Sequence, residues 1–241
     1  IRKLNTVNEN FVLHITSCAL LKKTSIQSKK MCEIDWNLLF DIVKSISIII
    51  ASIVAIYGIN SWRREIKWKR KYELAEEALS LFYEVEDAIS IIRSPLSSNS
   101  EGTTRKQGEN ERNEDTEILD RAYVVIERFE NNKEPFFKLR ALKYRFITLF
   151  GKESEKYFND VIKLTNKIMT VSGFLGRRYW KEQGKRNFTD VQFEQHLRKM
   201  EEYEGVIWEN HGDSEDVIKN NLEQIIKGIE EVCNTILDKN N

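Results

Sequence analysis

Across 241 residues the chain carries only two prolines, ten glycines, three cysteines and three histidines. So few helix breakers favour long helices over many short strands. Cys18, Cys32 and Cys233 are far apart, odd in number and form no CxxC pair. That excludes a zinc ribbon and a dithiol redox motif and leaves reduced thiols. Net charge is missing too, since 38 basic residues balance 38 acidic ones. The chain is therefore no whole-length polycation built for nucleic acid, although local basic patches occur.

Catalytic constellations are also lacking. His196 stands in FEQHLRK and His211 in ENHGD, and neither has the HExxH or ExxH spacing that sets metal ligands on one helical face. His211, with Glu209 and Asp213, reads as a solvated polar turn. No HD dipeptide occurs, and no Arg precedes a histidine at the spacing that helical RNases of the HEPN type require. There is no GxGxxG, no Walker-type phosphate loop and no GxSxG elbow. Gly173-Phe174-Leu175-Gly176, ahead of Arg177-Arg178, is too short for a phosphate loop and lacks a preceding strand. No catalytic, cofactor-binding or metal-ligating residue is assigned, and the chain reads as a non-enzyme.

One run stands out against this charged background. Ser45 to Trp62 is eighteen residues without a charge, SISIIIASIVAIYGINSW. In a helix it spans about 27 Å, close to a hydrocarbon thickness of about 30 Å. Extended back through Leu38, it predicts a transmembrane helix over 38–62, with a core at Leu38–Ile59. Asp41 and Lys44 lie three apart on one face and can pair. Seven isoleucines between Ile46 and Ile59 offset one peripheral lysine. Trp36 and the pair Tyr57 and Trp62 sit near the two ends, where interfacial aromatics belong.

The flanks predict orientation. Arg63–Lys71 carries six basic residues and one acidic, against Lys29, Lys30 and Lys44 on the other side. By the positive-inside rule the C-terminal part is cytoplasmic, in the inner (plasma) membrane. Trp62, Arg63, Arg64, Lys67, Trp68, Lys69, Arg70 and Lys71 form a flank suited to lipid headgroups. The first methionine is Met31, which points to residues 1–30 as upstream sequence or a poorly ordered extension of a tail over 1–37. Ile15–Cys18 fits a lipobox loosely. The apolar run before it, Phe11-Val12-Leu13, is too short for a signal-peptide core.

Beyond the span the periodicity is helical. Leu74, Ala78, Leu81, Val85, Ala88 and Ile92 step 4-3-4-3-4, as do Ile218, Leu222, Ile225, Ile229, Val232 and Ile236. Shorter versions are Ile118, Ala122, Val125, Phe129 and Tyr157, Val161, Leu164, Ile168. Extra apolar residues such as Leu79, Phe82 and Ile89 widen the stripe and favour a globular antiparallel bundle. The fold expected is all-α: a transmembrane helix, a basic juxtamembrane stalk over 63–93, and a bundle in which 118–241 packs with 72–93. Pro95 ends the stalk helix, Pro135 opens a helix that Gly151 closes, Thr189 and Gln192 make a capping box, and Asp213 or Ser214 starts the last helix. Residues 94–117 hold almost no apolar side chain and read as a disordered loop, cut first by trypsin at Arg105, Lys106 or Arg112.

A second basic-aromatic segment is the candidate partner site: Arg177, Arg178, Tyr179, Trp180, Lys181, Lys185 and Arg186, with Phe188. Its aromatics can stack bases while its cations meet phosphates; the same residues suit lipid headgroups or an acidic protein. If helical, Arg177 and Lys181 share a face and Trp180 can point inward as an anchor. The bland alternative places the aromatics in the core and the cations in water.

Trp62 and its basic run, Lys71-Tyr72-Glu73-Leu74-Ala75-Glu76-Glu77, Phe82-Tyr83-Glu84 and Ile92-Arg93-Ser94-Pro95, together with the span, resemble a group of uncharacterised bacterial single-pass membrane proteins with a cytoplasmic helical domain. The likeness covers Met31–Pro95 and, more weakly, the last helix. It implies a topology and carries over no functional residue, because the group has no assigned activity. The stretch before Met31 departs from that group's short tails. The functions expected are a membrane-anchored interaction, scaffold or sensor module with a protein partner or a second copy, or alternatively a membrane-localised nucleic-acid-binding or defence-associated effector working through residues 177–188.

Overall fold

The computed structural model describes residues 36–183, 187–209 and 215–238, and every regular element among them is helical. The expectations for the tail, Cys18, Cys32, Lys185, Arg186, His211, Asp213 and Ser214 lie outside the described residues. The chain divides into two compact units, Ile1–Asn60 and Ser61–Asn241, and the first helix, α1 (Trp36–Ile92), contributes to both.

The described part of the first unit is helix throughout, and its side chains are exposed, including the isoleucines at 46, 48, 49, 50, 53, 56 and 59. None of its most apolar eighteen-residue window is buried, and α1 is long and apolar enough to cross a membrane. The serines satisfy their own hydroxyls within the helix. Ser45, Ser47 and Ser52 donate to the carbonyls of Asp41, Val43 and Ile48 at 2.7–2.8 Å, which suits surroundings without water. Lys44 and Asp41 pair at 3.6 Å, as their spacing predicts.

The second unit holds the rest of α1, then α2 (Asn113–Asn131), α3 (Glu134–Phe150), a 3-10 turn (Lys152–Ser154), α4 (Glu155–Phe174), a π-turn (Leu175–Trp180), α5 (Asp190–Ile207) and α6 (Val217–Leu237). Local chemistry sets the ends. Pro135 lies in the first turn of α3 and Gly151, at φ 94°, closes it. Thr189 and Gln192 form the expected capping box on α5. The last helix starts later than expected: Asp216, not Asp213 or Ser214, is its cap, accepting from the Lys219 N–H at 2.9 Å.

All six seam residues of α1 are buried. Phe82 of α1 meets Phe158 of α4 edge-on at 5.1 Å, and Phe158 meets Phe146 of α3 at 5.4 Å. These three rings are fully buried, each worth about 1.5–3 kcal/mol. On α6 the seam holds through Ile229 and then moves to Cys233, leaving Val232 and Ile236 only partly covered. A straight helix drifts about 20° per heptad from a 3.5-residue repeat, so a neighbouring position takes over. Burial pushes the Cys233 thiol up to about 12. Where the π-turn meets α2, a Cβ on Gly176 would collide with that of Ala122, so only glycine permits the approach.

The polar run 94–117 reads as a mobile loop, and the structure differs. Its last residues, from Asn113, already belong to α2. The irregular part is held by charge instead of apolar contact. Arg105, 14% exposed at its side chain, donates from Nε to Asp120 at 2.8 Å and from its terminal nitrogens to both Glu111 oxygens. Arg128 donates to the Ser94 carbonyl at 2.6 Å and to Glu101 at 2.7 Å. Gly102, at φ 85°, donates its N–H to Glu127 and sits where a Cβ would strike the Asp120 carbonyl. Counting apolar residues misses such anchors, because charged hydrogen bonds to partly buried groups also offset ordering entropy.

Arg93 closes the far end of α1. It is 2% exposed. Nε donates to the Val206 carbonyl, and Nη2 to the carbonyls of Gly205 and Trp208 and to both oxygens of Asp216, all at 2.9–3.0 Å. Its own carbonyl accepts from the Glu209 N–H at 2.8 Å.

Two outcomes follow from these anchors. Arg93→Met removes the buried cation that meets the Asp216 carboxylate and three carbonyls, and should lower the unfolding free energy of the detergent-solubilised chain by about 3–5 kcal/mol. Arg198→Ala, which breaks an exposed pair with Glu194, should cost less than about 1 kcal/mol. Equal effects in denaturant titrations would show that Arg93 holds nothing special. Trypsin should cut at exposed Lys106 before Arg105, and Glu111→Ala with Asp120→Ala should remove that preference. The Arg105 guanidinium draws the Glu111 pKa down to about 2. Its contribution is thus complete above the ordinary glutamate range and is lost as pH falls toward about 2. Hydrogen-exchange protection of residues 102–112 should fall over that interval, ahead of the core.

Candidate functional site

The basic-aromatic segment begins on the π-turn Leu175–Trp180, where bonds close over five residues rather than four. The turn buries its two ends and exposes its middle. Leu175, Gly176 and Trp180 are buried, while Arg177 and Arg178 are exposed. Trp180 is the inward anchor its position predicts: it is 7% exposed, and its Nε1 donates to Glu204 at 2.7 Å. Its ring stacks on Trp208 at 5.7 Å, and the Arg121 guanidinium lies 4.6 Å from one ring centre and 4.8 Å from the other. Such cation–π contacts are worth about 0.5–2 kcal/mol each.

Tyr179 is similarly engaged. It stacks on His196 at 5.2 Å and meets Tyr203 edge-on at 5.1 Å. The Tyr179 carbonyl lies 3.2 Å from His196 Nε2. Burial raises the Tyr179 hydroxyl pKa, with help from Tyr203. Phe188 packs against His196 at 5.0 Å. Tyr179 thus has a stacked neighbour in His196, and Trp180 has Trp208 and Arg121 against its ring. The aromatics belong to the core of the unit because each has an aromatic neighbour on α5 or just beyond it.

The cations divide. Lys181 pairs with the buried carboxylate of Asp115 at 3.0 Å, and Arg112 reaches the same oxygen at 3.1 Å. Arg177 and Arg178 make no ion pair among the described residues. Arg177 and Lys181 do share a side, lining an open cleft of 320 Å³ with Arg105, Glu111 and Tyr123. Since Arg105 and Lys181 already hold carboxylates, the field in that cleft rests mainly on Arg177. Sequence reasoning missed Asp115, Arg121, Glu204 and Trp208. None stands near the segment in sequence, and an amphipathic helix shows many acidic residues like Asp115.

In the other flank, Trp62, Arg63, Arg64, Lys67, Lys69 and Arg70 are exposed. Trp68 leans on Tyr72 at 5.3 Å, Lys69 approaches Glu73 at 3.9 Å, and Lys71 lies over the Phe150 ring at 5.9 Å. No cluster of three or more metal-ligating side chains occurs among the described residues. Fold and site thus define an all-helical protein whose first helix is long and apolar enough to cross a membrane. Comparison with protein-family models, curated proteins and solved structures finds no match.

The division of cations is testable. Lys181→Ala should lower the melting temperature by several degrees, because it removes a partner of a buried carboxylate (about 1–3 kcal/mol). Arg177→Ala with Arg178→Ala should leave it unchanged. Thermal scans in one detergent that rank the two variants the other way would return Lys181 to the solvated surface.

Proposed function

We propose that the chain is a single-pass protein of the inner (plasma) membrane, spanning the bilayer with Leu38–Ile59 and holding its helical unit in the cytoplasm as a non-catalytic interaction, scaffold or sensor module. One observation carries this reading: no residue in the apolar window of α1 is buried by protein. Monomeric soluble proteins rarely expose apolar patches beyond a few hundred Å². A run of exposed isoleucines of this length needs a hydrocarbon partner, and Trp36 and Trp62 are placed for the two interfaces. The imbalance of flanking Lys and Arg favours a cytoplasmic C-terminus.

The module reading is supported by how the buried charges are used. Arg93, Arg128, Lys143 and Lys181 each hold a carboxylate that joins two parts of the unit. They therefore act as structural joints. A partner would meet the exposed surface, through a second protein or a second copy of this chain. The nucleic-acid reading is weakened by the buried aromatics and now depends on Arg177 and Arg178.

In cells making a tagged full chain, carbonate should leave the protein in the pellet, and its release would overturn the span. A reporter active only in the periplasm should stay silent when fused after Asn241. Strong activity there would reverse the orientation while leaving the span in place.

A further inference from the structure

Within the unit Ser61–Asn241, α4 and α6 lie side by side and antiparallel. Tyr157, early in α4, lies against Gly228 of α6, where a Cβ would strike its ring. Further along α4, Lys167 shares a cleft with Val217 and Ile218 at the start of α6. That register sets Asn221 opposite Leu164 and Gln224 opposite Val161. Between the two points runs an open groove of 430 Å³. Its α4 wall carries Lys156, Lys163 and Lys167, and its α6 wall carries the amides of Asn221 and Gln224. Leu164 and Ile225, both buried, form the floor.

Charge in the groove is one-sided. Asp160 is the only carboxylate in its lining, and it pairs with Lys163 at 2.7 Å. Both partners are well exposed, so the pair is worth at most about 1 kcal/mol and yields Lys163 to a stronger anion. Lys156 lies over the Tyr157 ring at 4.7 Å and makes no ion pair among the described residues. Lys167 makes none there either, although the cleft on its other side holds Glu201, Glu202 and Glu215. Glu202 pairs with Lys199, and Glu215 accepts from the Asn220 amide. Glu223 acts on Glu86 of α1 instead. The amides of Asn221 and Gln224 have no hydrogen-bond partner among the described residues.

Spacing selects the ligand. Lys163 and Lys167 stand one turn apart on the same face, about 6 Å along the axis, with Asn221 across the floor from them. Two ammonium groups and an amide N–H around one point suit a doubly charged tetrahedral oxyanion. A single carboxylate would leave one ammonium unmatched. The floor continues past Gln224 toward Lys156, which leaves room for a polar body attached to the phosphate. The volume lies within the range of small-molecule sites, about 300–1,000 Å³. A nucleic-acid strand fits less well, because Tyr157, the one ring in the lining, already has Lys156 over it and Gly228 against it. A protein partner fits less well too, since Leu164 and Ile225, 6% and 8% exposed, offer no apolar anchor.

We propose that the groove between α4 and α6 binds a small phosphomonoester, its phosphate held by Lys163, Lys167 and the Asn221 amide and its body lying over Leu164 toward Gln224. The site goes beyond the membrane reading and does not depend on the span. It gives the helical unit a small-molecule ligand that periodicity does not display, because the lysines and the amides meet only when α4 and α6 pack.

The test follows the phosphorus NMR signal of methyl phosphate mixed with the full chain in neutral detergent. Binding in the millimolar range should broaden the signal. Methyl sulfate, a singly charged ester of the same shape, should compete at least about tenfold less well. Lys163→Gln with Lys167→Gln should weaken binding at least about tenfold, because two charge-assisted bonds are lost. Both side chains are exposed, so this variant should melt as the parent does. Arg177→Gln with Arg178→Gln removes the same charge elsewhere on the unit and should bind as the parent does. No broadening with the parent, equal competition by methyl sulfate, or equal loss in the two double variants overturns the site. A single-stranded oligonucleotide that displaces methyl phosphate from the parent at lower concentration than the ester itself needs overturns the small-molecule class and makes the groove a nucleic-acid contact. None of these results bears on the span, which carbonate extraction decides.

Discussion

The Arg93 guanidinium is the joint on which the helical unit depends. It lies where α1 ends, and its donors reach the last carbonyls of α5 and the carboxylate that caps α6. Helix ends present unsatisfied carbonyls, and the partial negative charge there favours a cation. One side chain, standing at the end of α1, thus satisfies the C-terminus of α5 and meets the carboxylate that caps α6. Ion pairs this deeply buried add little net stability, because desolvation offsets the attraction. Their consequence is geometric. A leucine at position 93 could fill space, but it could not require the end of α5 and the start of α6 to meet at one point.

The same device recurs at smaller scale. Arg128 gathers the carbonyls of Ser94 and Leu96 with Glu101. Lys143 joins Asn159 and Glu155, and the Lys143 ammonium holds the Glu155 carboxylate below its usual range. Lys181 holds Asp115. The apolar seams decide which faces meet, whereas the buried cations decide where irregular segments and helix ends lie. This division explains why a balanced and highly charged chain builds a core without orphaned polar groups: no described buried side-chain nitrogen or oxygen lacks a partner.

It also changes what the surface can do. Basic residues adjacent in sequence do not form one patch, because some hold buried carboxylates and others face water. Arg177 and Arg178 remain outward, whereas Lys181 holds the buried carboxylate of Asp115. In the first unit, no residue of the apolar window of α1 is buried.

Much of the fold was legible from periodicity alone. The seams of α1, α4 and the first part of α6, the limits set by Pro135 and Gly151, and the capping box at Thr189 are local properties, and local sterics and hydrogen bonding determine them. The eighteen uncharged residues of Ser45–Trp62 determined a helix long and apolar enough to span a membrane, because length and hydropathy are properties of the local run alone. What the tertiary structure decided is pairwise. It set which carboxylate each cation meets, that Arg121 lies against both Trp180 and Trp208, that Asp216 rather than Asp213 caps α6, and that residues 94–112 are tied down. Periodicity reports only that a face is buried. An ion pair requires two side chains brought together from distant parts of the chain, and composition cannot distinguish a lysine that holds a buried aspartate from one that faces water.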